Sequence, residues 1–343
     1  VVCFTTACQP KTGDILNIDP SDEIIYADEY VAGQDSQYWY TNQCFSNTPM
    51  ADSGDAYYFM AGPNNCFLYR MDKATGEMAP VCSKPGCGHG DDYDPSQNYM
   101  DSECNAFLGP INAKALMYYE GRLYCLNDTD HGEKLFELSL SGNAPAELRT
   151  LTKNPYRYIR TIAMHRGYVY YADASSSSEG TTPQITTSKI FRLPVDDMET
   201  EPELIHTAEG YLPACGRLLC YGNHVYITEY YSTDQDRNYT VRRLNRYNIK
   251  TGKIETIVDD GVGAYYTIFN GRLAYYSLGG TCLCDLDGKN NQRISDMFGV
   301  LSPCGQYLLI DNQQMMFNYS NMKRTIYAYD PDGHYSGSLR LQN

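Results

Sequence analysis

Most of the chain consists of short runs rich in tyrosine, leucine, isoleucine and valine, separated by turns built on glycine, asparagine or aspartate. No helical period of useful length interrupts them. One element recurs throughout, a turn residue followed by a tyrosine-rich strand: Gly54-Asp-Ala-Tyr-Tyr, Gly121-Arg-Leu-Tyr, Gly167-Tyr-Val-Tyr-Tyr, Asn223-His-Val-Tyr, Gly271-Arg-Leu-Ala-Tyr-Tyr and Gly305-Gln-Tyr-Leu. Gly or Asn is expected at the head of each copy because a tight hairpin needs positive φ there. A second strand follows each copy, as in Leu68-Tyr-Arg-Met-Asp72, Ile190-Phe-Arg-Leu-Pro194 and Ile326-Tyr-Ala-Tyr-Asp330. In most copies a Gly-containing turn comes next, and then a short outer strand such as Lys253-Ile-Glu-Thr-Ile-Val258. The spacing of the units brackets a four-stranded antiparallel blade.

Six such units predict an all-β fold, a six-bladed β-propeller. A seventh blade is the alternative, lying beyond the chain or assembled from Ile24 to Tyr40. Paired tyrosines, among them Tyr57-Tyr58, Tyr118-Tyr119, Tyr170-Tyr171 and Tyr275-Tyr276, favour the propeller over a β-sandwich. Neighbouring strand residues point to opposite faces, and only a sheet covered on both sides hides both rings.

Composition adds an address. The 343 residues include 33 tyrosines against 10 phenylalanines and one tryptophan, a usage suited to rings that pack while their hydroxyls reach a wet edge. A formal charge of −15 excludes a general nucleic-acid binder, for which clustered Lys and Arg are needed. Thirteen cysteines point to an oxidising location or to metal ligands. Residues 1–7, Val-Val-Cys-Phe-Thr-Thr-Ala, read as the tail of a signal segment ending in small residues before Cys8. This stretch resembles the lipobox of bacterial lipoproteins, which implies lipidation at Cys8. Residues 8–37 then form a polar spacer, and 38–343 the propeller. The expected site is the outer face of the cytoplasmic membrane, with membrane contact only through the lipid.

The glycine-tyrosine and Leu-Tyr-Arg-Met-Asp repeats resemble those of propeller-forming lipoproteins of unknown function from Gram-positive gut bacteria, a group likened to the propeller of low-density-lipoprotein receptors. The resemblance covers about Tyr38 to Asn343 and implies a fold rather than an activity. The Tyr-Trp-Thr-Asp signature of the receptor propellers is missing, so receptor-like ligand binding does not carry over.

An insertion at 82–104 between the first and second blades supplies Cys82, Cys87, His89 and Cys104 amid glycine and proline. Three thiolates and an imidazole complete a tetrahedral zinc shell, and such a shell leaves no position for a catalytic water. A disulfide from Cys82 to Cys87 or Cys104 is the other reading, with His89 a bystander. The block also resembles a Cys-x-x-Pro-x-Cys-x-His element of the same lipoprotein group, although its spacing departs from common zinc modules. Either role is structural.

Cys44, Cys66, Cys125, Cys215, Cys220, Cys282, Cys284 and Cys304 read mostly as buried thiols on strands. Asp287-Gly288 and Asp332-Gly333 read as two-residue hairpin turns rather than calcium loops. Arg242 and Arg246 share a strand face and would suit a carboxylate clamp or a solvated outer strand. No serine nucleophile or sialidase-type turn stands out, and no catalytic residue is nominated. The sequence therefore favours a binding module for an extracellular protein or glycan over an enzyme. The competing function is a polysaccharide hydrolase or lyase that uses paired carboxylates near a central channel.

Overall fold

The computed structural model describes residues 50–61, 67–89, 104–108, 113–129, 132–152, 157–176, 185–208, 210–233, 240–297, 299–311 and 325–340. Every regular element among them is a strand, and the strands form a six-bladed β-propeller of four-stranded antiparallel sheets. The first blade comprises β1 (Met50–Asp52), β2 (Ala56–Ala61), β3 (Phe67–Asp72) and β4 (Met78–Pro80). The second comprises β5 (Ala113–Tyr119), β6 (Arg122–Thr129), β7 (Gly132–Leu138) and β8 (Ala146–Thr152). The third comprises β9 (Arg157–His165), β10 (Tyr168–Ser176), β11 (Ile185–Pro194) and β12 (Glu203–Thr207). The fourth comprises β13 (Tyr211–Tyr221), β14 (His224–Ser232), β15 (Thr240–Asn248) and β16 (Ile254–Val258). The fifth comprises β17 (Val262–Phe269), β18 (Arg272–Ser277), β19 (Gly280–Asp285) and β20 (Gln292–Ser295). The sixth comprises β21 (Val300–Cys304), β22 (Tyr307–Asp311), β23 (Thr325–Tyr329) and β24 (Tyr335–Arg340). The strands gather into two compact units, and the division falls inside the fourth blade.

Consecutive strands pair in order within each blade, so every sheet has two unlike ends. At one end lie the turns joining first to second strand, and third to fourth. The two-residue turns Glu120-Gly121, Arg166-Gly167 and Asn270-Gly271 hold both residues at positive φ, the type I′ geometry that matches strand twist. In the fourth blade the positive φ falls on Gly222 rather than on Asn223, one residue earlier than the sequence pattern suggested. At the other end lie the connections from second to third strand and from one blade to the next. Several of these are long, as between Ser176 and Ile185, between Asp311 and Thr325, and between Pro80 and Ala113.

Within the first unit, Tyr58, Met60 and Leu68 of the first blade pack with Leu116, Leu123 and Phe136 of the second. Within the other, Phe269, Ala274 and Leu283 of the fifth blade pack with Leu301, Leu308 and Ile310 of the sixth. Each fully buried side chain of this size stabilises the fold by about 1.5–3 kcal/mol. Outermost strands are the exposed ones: β12 and β16 present mostly accessible residues. Both tyrosines of the 170–171 pair are buried, while the 57–58, 118–119, 265–266 and 275–276 pairs each bury one ring and half-bury the other.

The hydroxyls explain why tyrosine is used instead of phenylalanine. Tyr119 Oη accepts the Gly167 amide at 2.6 Å, joining the second blade to the third. Tyr266 Oη donates to the Tyr226 carbonyl at 2.9 Å, and Tyr226 Oη donates to the Leu286 carbonyl at 3.3 Å, joining the fourth and fifth. Tyr329 Oη pairs with Ser295 Oγ at 2.6 Å, joining the fifth and sixth. These hydroxyls reach into the next blade rather than to a wet edge, as the composition had suggested. Each satisfies a polar group that burial would otherwise penalise.

Candidate metal centre

The insertion begins where β4 ends. The Val81 amide bonds the Leu68 carbonyl at 2.9 Å, which extends the first blade's edge by one step before the chain departs. Cys82, Cys87 and His89 follow within one short arm, turned by Gly86 at positive φ and by a Cys87 amide bond to the Lys84 carbonyl. The chain returns at Cys104. There the Leu68 amide donates to the Ala106 carbonyl at 2.7 Å, and Phe107 bridges to Phe67 with ring centroids 5.2 Å apart. Phe67, Ala106, Phe107 and Cys104 form a small buried cluster that Tyr69, Cys82 and Cys87 cover.

This folding brings all four sequence-predicted ligands together. One ligand atom from each of Cys82, Cys87, His89 and Cys104 lies within 4.8 Å of all the others. Cys104 Sγ stands 3.8 Å from His89 Nδ1. A tetrahedral shell with Zn–S bonds near 2.3 Å has ligand-to-ligand edges of about 3.5–3.8 Å, so small adjustments would close it. No disulfide links the three cysteines, which stand as thiols.

The thiols differ electrostatically. Burial is the largest influence on Cys82 and works against its thiolate. Amide donors at Lys84 and Asn105, with the neighbouring thiols, outweigh it and hold Cys82 below the ordinary thiol range. Burial, abetted by the neighbouring sulfurs of Cys87 and Cys82, pushes Cys104 up to about 12. A cation among the three sulfurs would reverse that penalty, because a coordinating thiol is deprotonated outright. The donor set fits a structural zinc ion. Cys82, Cys87, His89 and Cys104 would hold it, and its chemistry there would be to neutralise three thiolates while cross-linking the two arms.

Sequence reasoning missed the residues that seat this cluster. Ser83 donates to the Gly142 carbonyl through its amide and through Oγ, both at 3.0 Å, and Asn105 Nδ2 donates to the same oxygen at 2.8 Å. Gly142 lies in the turn between β7 and β8, so the insertion rests on the second blade. The available signal was the recurrence of a turn glycine after the third strand in every blade but the third, which marks Gly142 as the counterpart of Gly76.

A second missed pattern concerns the loop-bearing ends. Six residues beyond the turn positions 121, 167, 223, 271 and 305 stand Asn127, Asp173, Glu229, Ser277 and Asp311, while Met60 holds that place in the first blade. Asn127, Asp173 and Glu229 are buried there. In the first unit Asn127 Nδ2 donates to the Leu108 carbonyl at 2.8 Å, and Glu133 accepts the Ile159 amide of the next blade. In the other, Glu229 accepts Asn245 Nδ2 at 2.7 Å, and Asn245 accepts Thr256 Oγ1 at 2.8 Å.

Arg246 pairs with Glu255 and donates to the Leu286 carbonyl at 3.0 Å, so its guanidinium fastens strands instead of clamping a ligand. The Asp-Gly segments are wider than two-residue turns. Asp287 takes the Lys289 amide, and Asp330 takes the amides of Asp332 and His334. Cys125, Cys215, Cys220, Cys282 and Cys284 are buried and Cys304 is half-buried. Cys8, Cys44, Cys66 and the segment 24–40 lie outside the described residues.

No family model and no curated protein matches the chain. Among solved structures, it is similar to a puromycin-hydrolysing peptidase of Mycobacterium tuberculosis, with 12% identity and a TM-score of 0.50 over 90% of this chain and 49% of the peptidase. It is similar to the acylaminoacyl peptidase of Pyrococcus horikoshii, with 13% identity and a TM-score of 0.51 over 87% of this chain and 45% of the other. A quinonprotein alcohol dehydrogenase-like protein of Bacteroides thetaiotaomicron shares 12% identity at a TM-score of 0.50, over 86% and 65%. The chain spans about half the length of the two peptidases. At these identities the likeness is one of fold alone.

Proposed function

We propose that this chain is an extracytoplasmic lipoprotein, tethered through Cys8, that binds an extracellular protein or glycan with the loop-bearing ends of its blades, and that Cys82, Cys87, His89 and Cys104 carry a structural zinc ion. The observation that supports recognition is the inequality of the two blade ends. At one end the first-to-second-strand turns span two or three residues and the third-to-fourth turns five to eight, whereas the other end carries connections as different as the stretch between Asp311 and Thr325 and the Leu278-Gly279 turn. Connections of such unequal length are the arrangement that recognition surfaces use.

Binding is favoured over acid–base chemistry by the employment of two buried carboxylates, Glu133 and Glu229. Glu133 and Glu229 each accept hydrogen bonds from the fold's own donors. A ligand of this surface is not a nucleic acid, given a net charge of −15.

The test is a glycan array and a secretome capture with the purified full chain, beside turnover assays on the same polysaccharides. Saturable binding without turnover is the expected result. Polysaccharide cleavage would replace the binding module by the hydrolase or lyase reading. Membrane fractionation of Cys8→Ala should release the protein, and zinc analysis should return one ion per chain.

A further inference from the structure

We infer that the Cys/His centre is a clamp between the first two blades, in which metal occupancy and docking on the Gly142 carbonyl are energetically coupled through Ser83 and Asn105. The inference rests on the zinc reading above and goes beyond it by assigning what the ion holds in place.

Ser83 directly follows Cys82, and Asn105 directly follows Cys104. These two arms are the ones that a bound ion would tie together, and both send donors to a single acceptor. The Gly142 carbonyl receives the Ser83 amide and hydroxyl at 3.0 Å and the Asn105 side-chain amide at 2.8 Å. Asn105 faces both ways, because its main chain is joined directly to Cys104 while its side chain holds Gly142. A residue tied to the metal's ligand through one group and to the neighbouring blade through another transmits position between them.

Gly142 permits the contact. Its φ is +79°, and a Cβ there would lie 2.5 Å from the Ser83 nitrogen and 2.8 Å from the Cys82 carbonyl carbon. Those are backbone atoms, which cannot swing aside. The clamp therefore presses main chain against main chain, and the metal fixes the arm that does the pressing. Any device that draws Cys82 and Cys104 together also aligns Ser83 and Asn105. By linkage, docking must strengthen metal binding by the same factor. Ser83 and Asn105 are positioning residues rather than ligands.

The experiment measures zinc affinity of the full chain by chelator competition, with the cobalt(II) thiolate spectrum as a check on the ligand set, and thermal unfolding with and without zinc. Asn105→Ala removes one donor and no ligand. It should weaken zinc binding on the order of 10-fold, as loss of outer-shell partners does, and shrink the zinc-induced rise in Tm. Gly142→Ala should do the same more strongly, and Asn105→Ala decides the matter where Gly142→Ala fails to fold. Tight zinc binding with unchanged affinity in Asn105→Ala overturns the clamp and leaves the zinc reading intact. A wild-type chain that takes up no zinc overturns both.

Discussion

Two blade junctions solve one problem differently. Between the fifth and sixth blades, β20 ends at Ser295 and β21 begins at Val300. Thr281 Oγ1 holds the Met297 carbonyl at 2.8 Å, Ser295 Oγ takes the Met297 amide at 3.0 Å, and Met297 packs into the shared core. Between the first and second blades the chain leaves at Pro80 and resumes at Ala113, with a cysteine-rich insertion between. Yet the apolar packing across the two junctions is alike in kind, with Leu116 and Leu123 in one playing the part of Leu301 and Leu308 in the other. The difference teaches that the apolar core is common to both junctions, and that the described arms of the insertion add to the first a contact of their own, through the Phe67–Phe107 cluster and the dock on Gly142.

The comparison breaks first if the two cores are unequal. Leu116→Ala and Leu308→Ala each remove a side chain with no exposure. Each should lower stability by about 2–5 kcal/mol in urea unfolding. A loss confined to one of the two variants would show that one junction is held by something other than apolar packing.

A smaller effect sharpens the comparison through pH. Burial pushes Cys125, in the core between the first two blades, up to about 12, and it does the same to Cys284 of the fifth blade. In the unfolded chain such thiols titrate near 9. The folded chain therefore keeps protons that the unfolded chain releases. Stability is full below about pH 9 and falls as pH rises from about 9 to 12. At pH 10.5 each thiol should account for a loss on the order of 2 kcal/mol. Urea midpoints at pH 8 and 10.5 check this, with the slope reduced in Cys125→Ala and in Cys284→Ala.

The smallest effect is expected from the hydroxyl ties. Tyr329→Phe leaves the ring and removes one of the partners of Ser295 Oγ. The cost should be about 0.5–1.5 kcal/mol, measured by the same unfolding assay. Tyr266→Phe, which removes the hydroxyl that donates to the Tyr226 carbonyl, should match it.

The sequence made the strands and blades legible because turn glycines and tyrosine strands repeat locally, and local chemistry decides both. Gly121 and Gly167 head their strands as expected, while the shift from Asn223 to Gly222 shows how little a one-residue displacement alters the pattern. Cys82, Cys87, His89 and Cys104 were legible as one group because residue type alone constrains metal chemistry. Their convergence was not, since it depends on how the chain returns past Phe67 to place Cys104 beside His89. Nor could Ser83, Asn105 and Gly142 be connected, because their contact joins residues that are distant in the chain. The same holds for the tyrosine hydroxyls, whose acceptors lie a whole blade away, as with Tyr226 and Leu286.

Those phenol groups carry one last consequence. A phenol is a rigid strut of fixed length, anchored at its own Cβ and tipped by one oxygen that must meet a partner. Where Tyr119, Tyr226, Tyr266 and Tyr329 span to an adjacent sheet, the ring acts as a gauge that sets the gap between sheets without reference to the chain segments joining them. Evolution is then free to lengthen, shorten or rewrite those segments while the spacing stays calibrated.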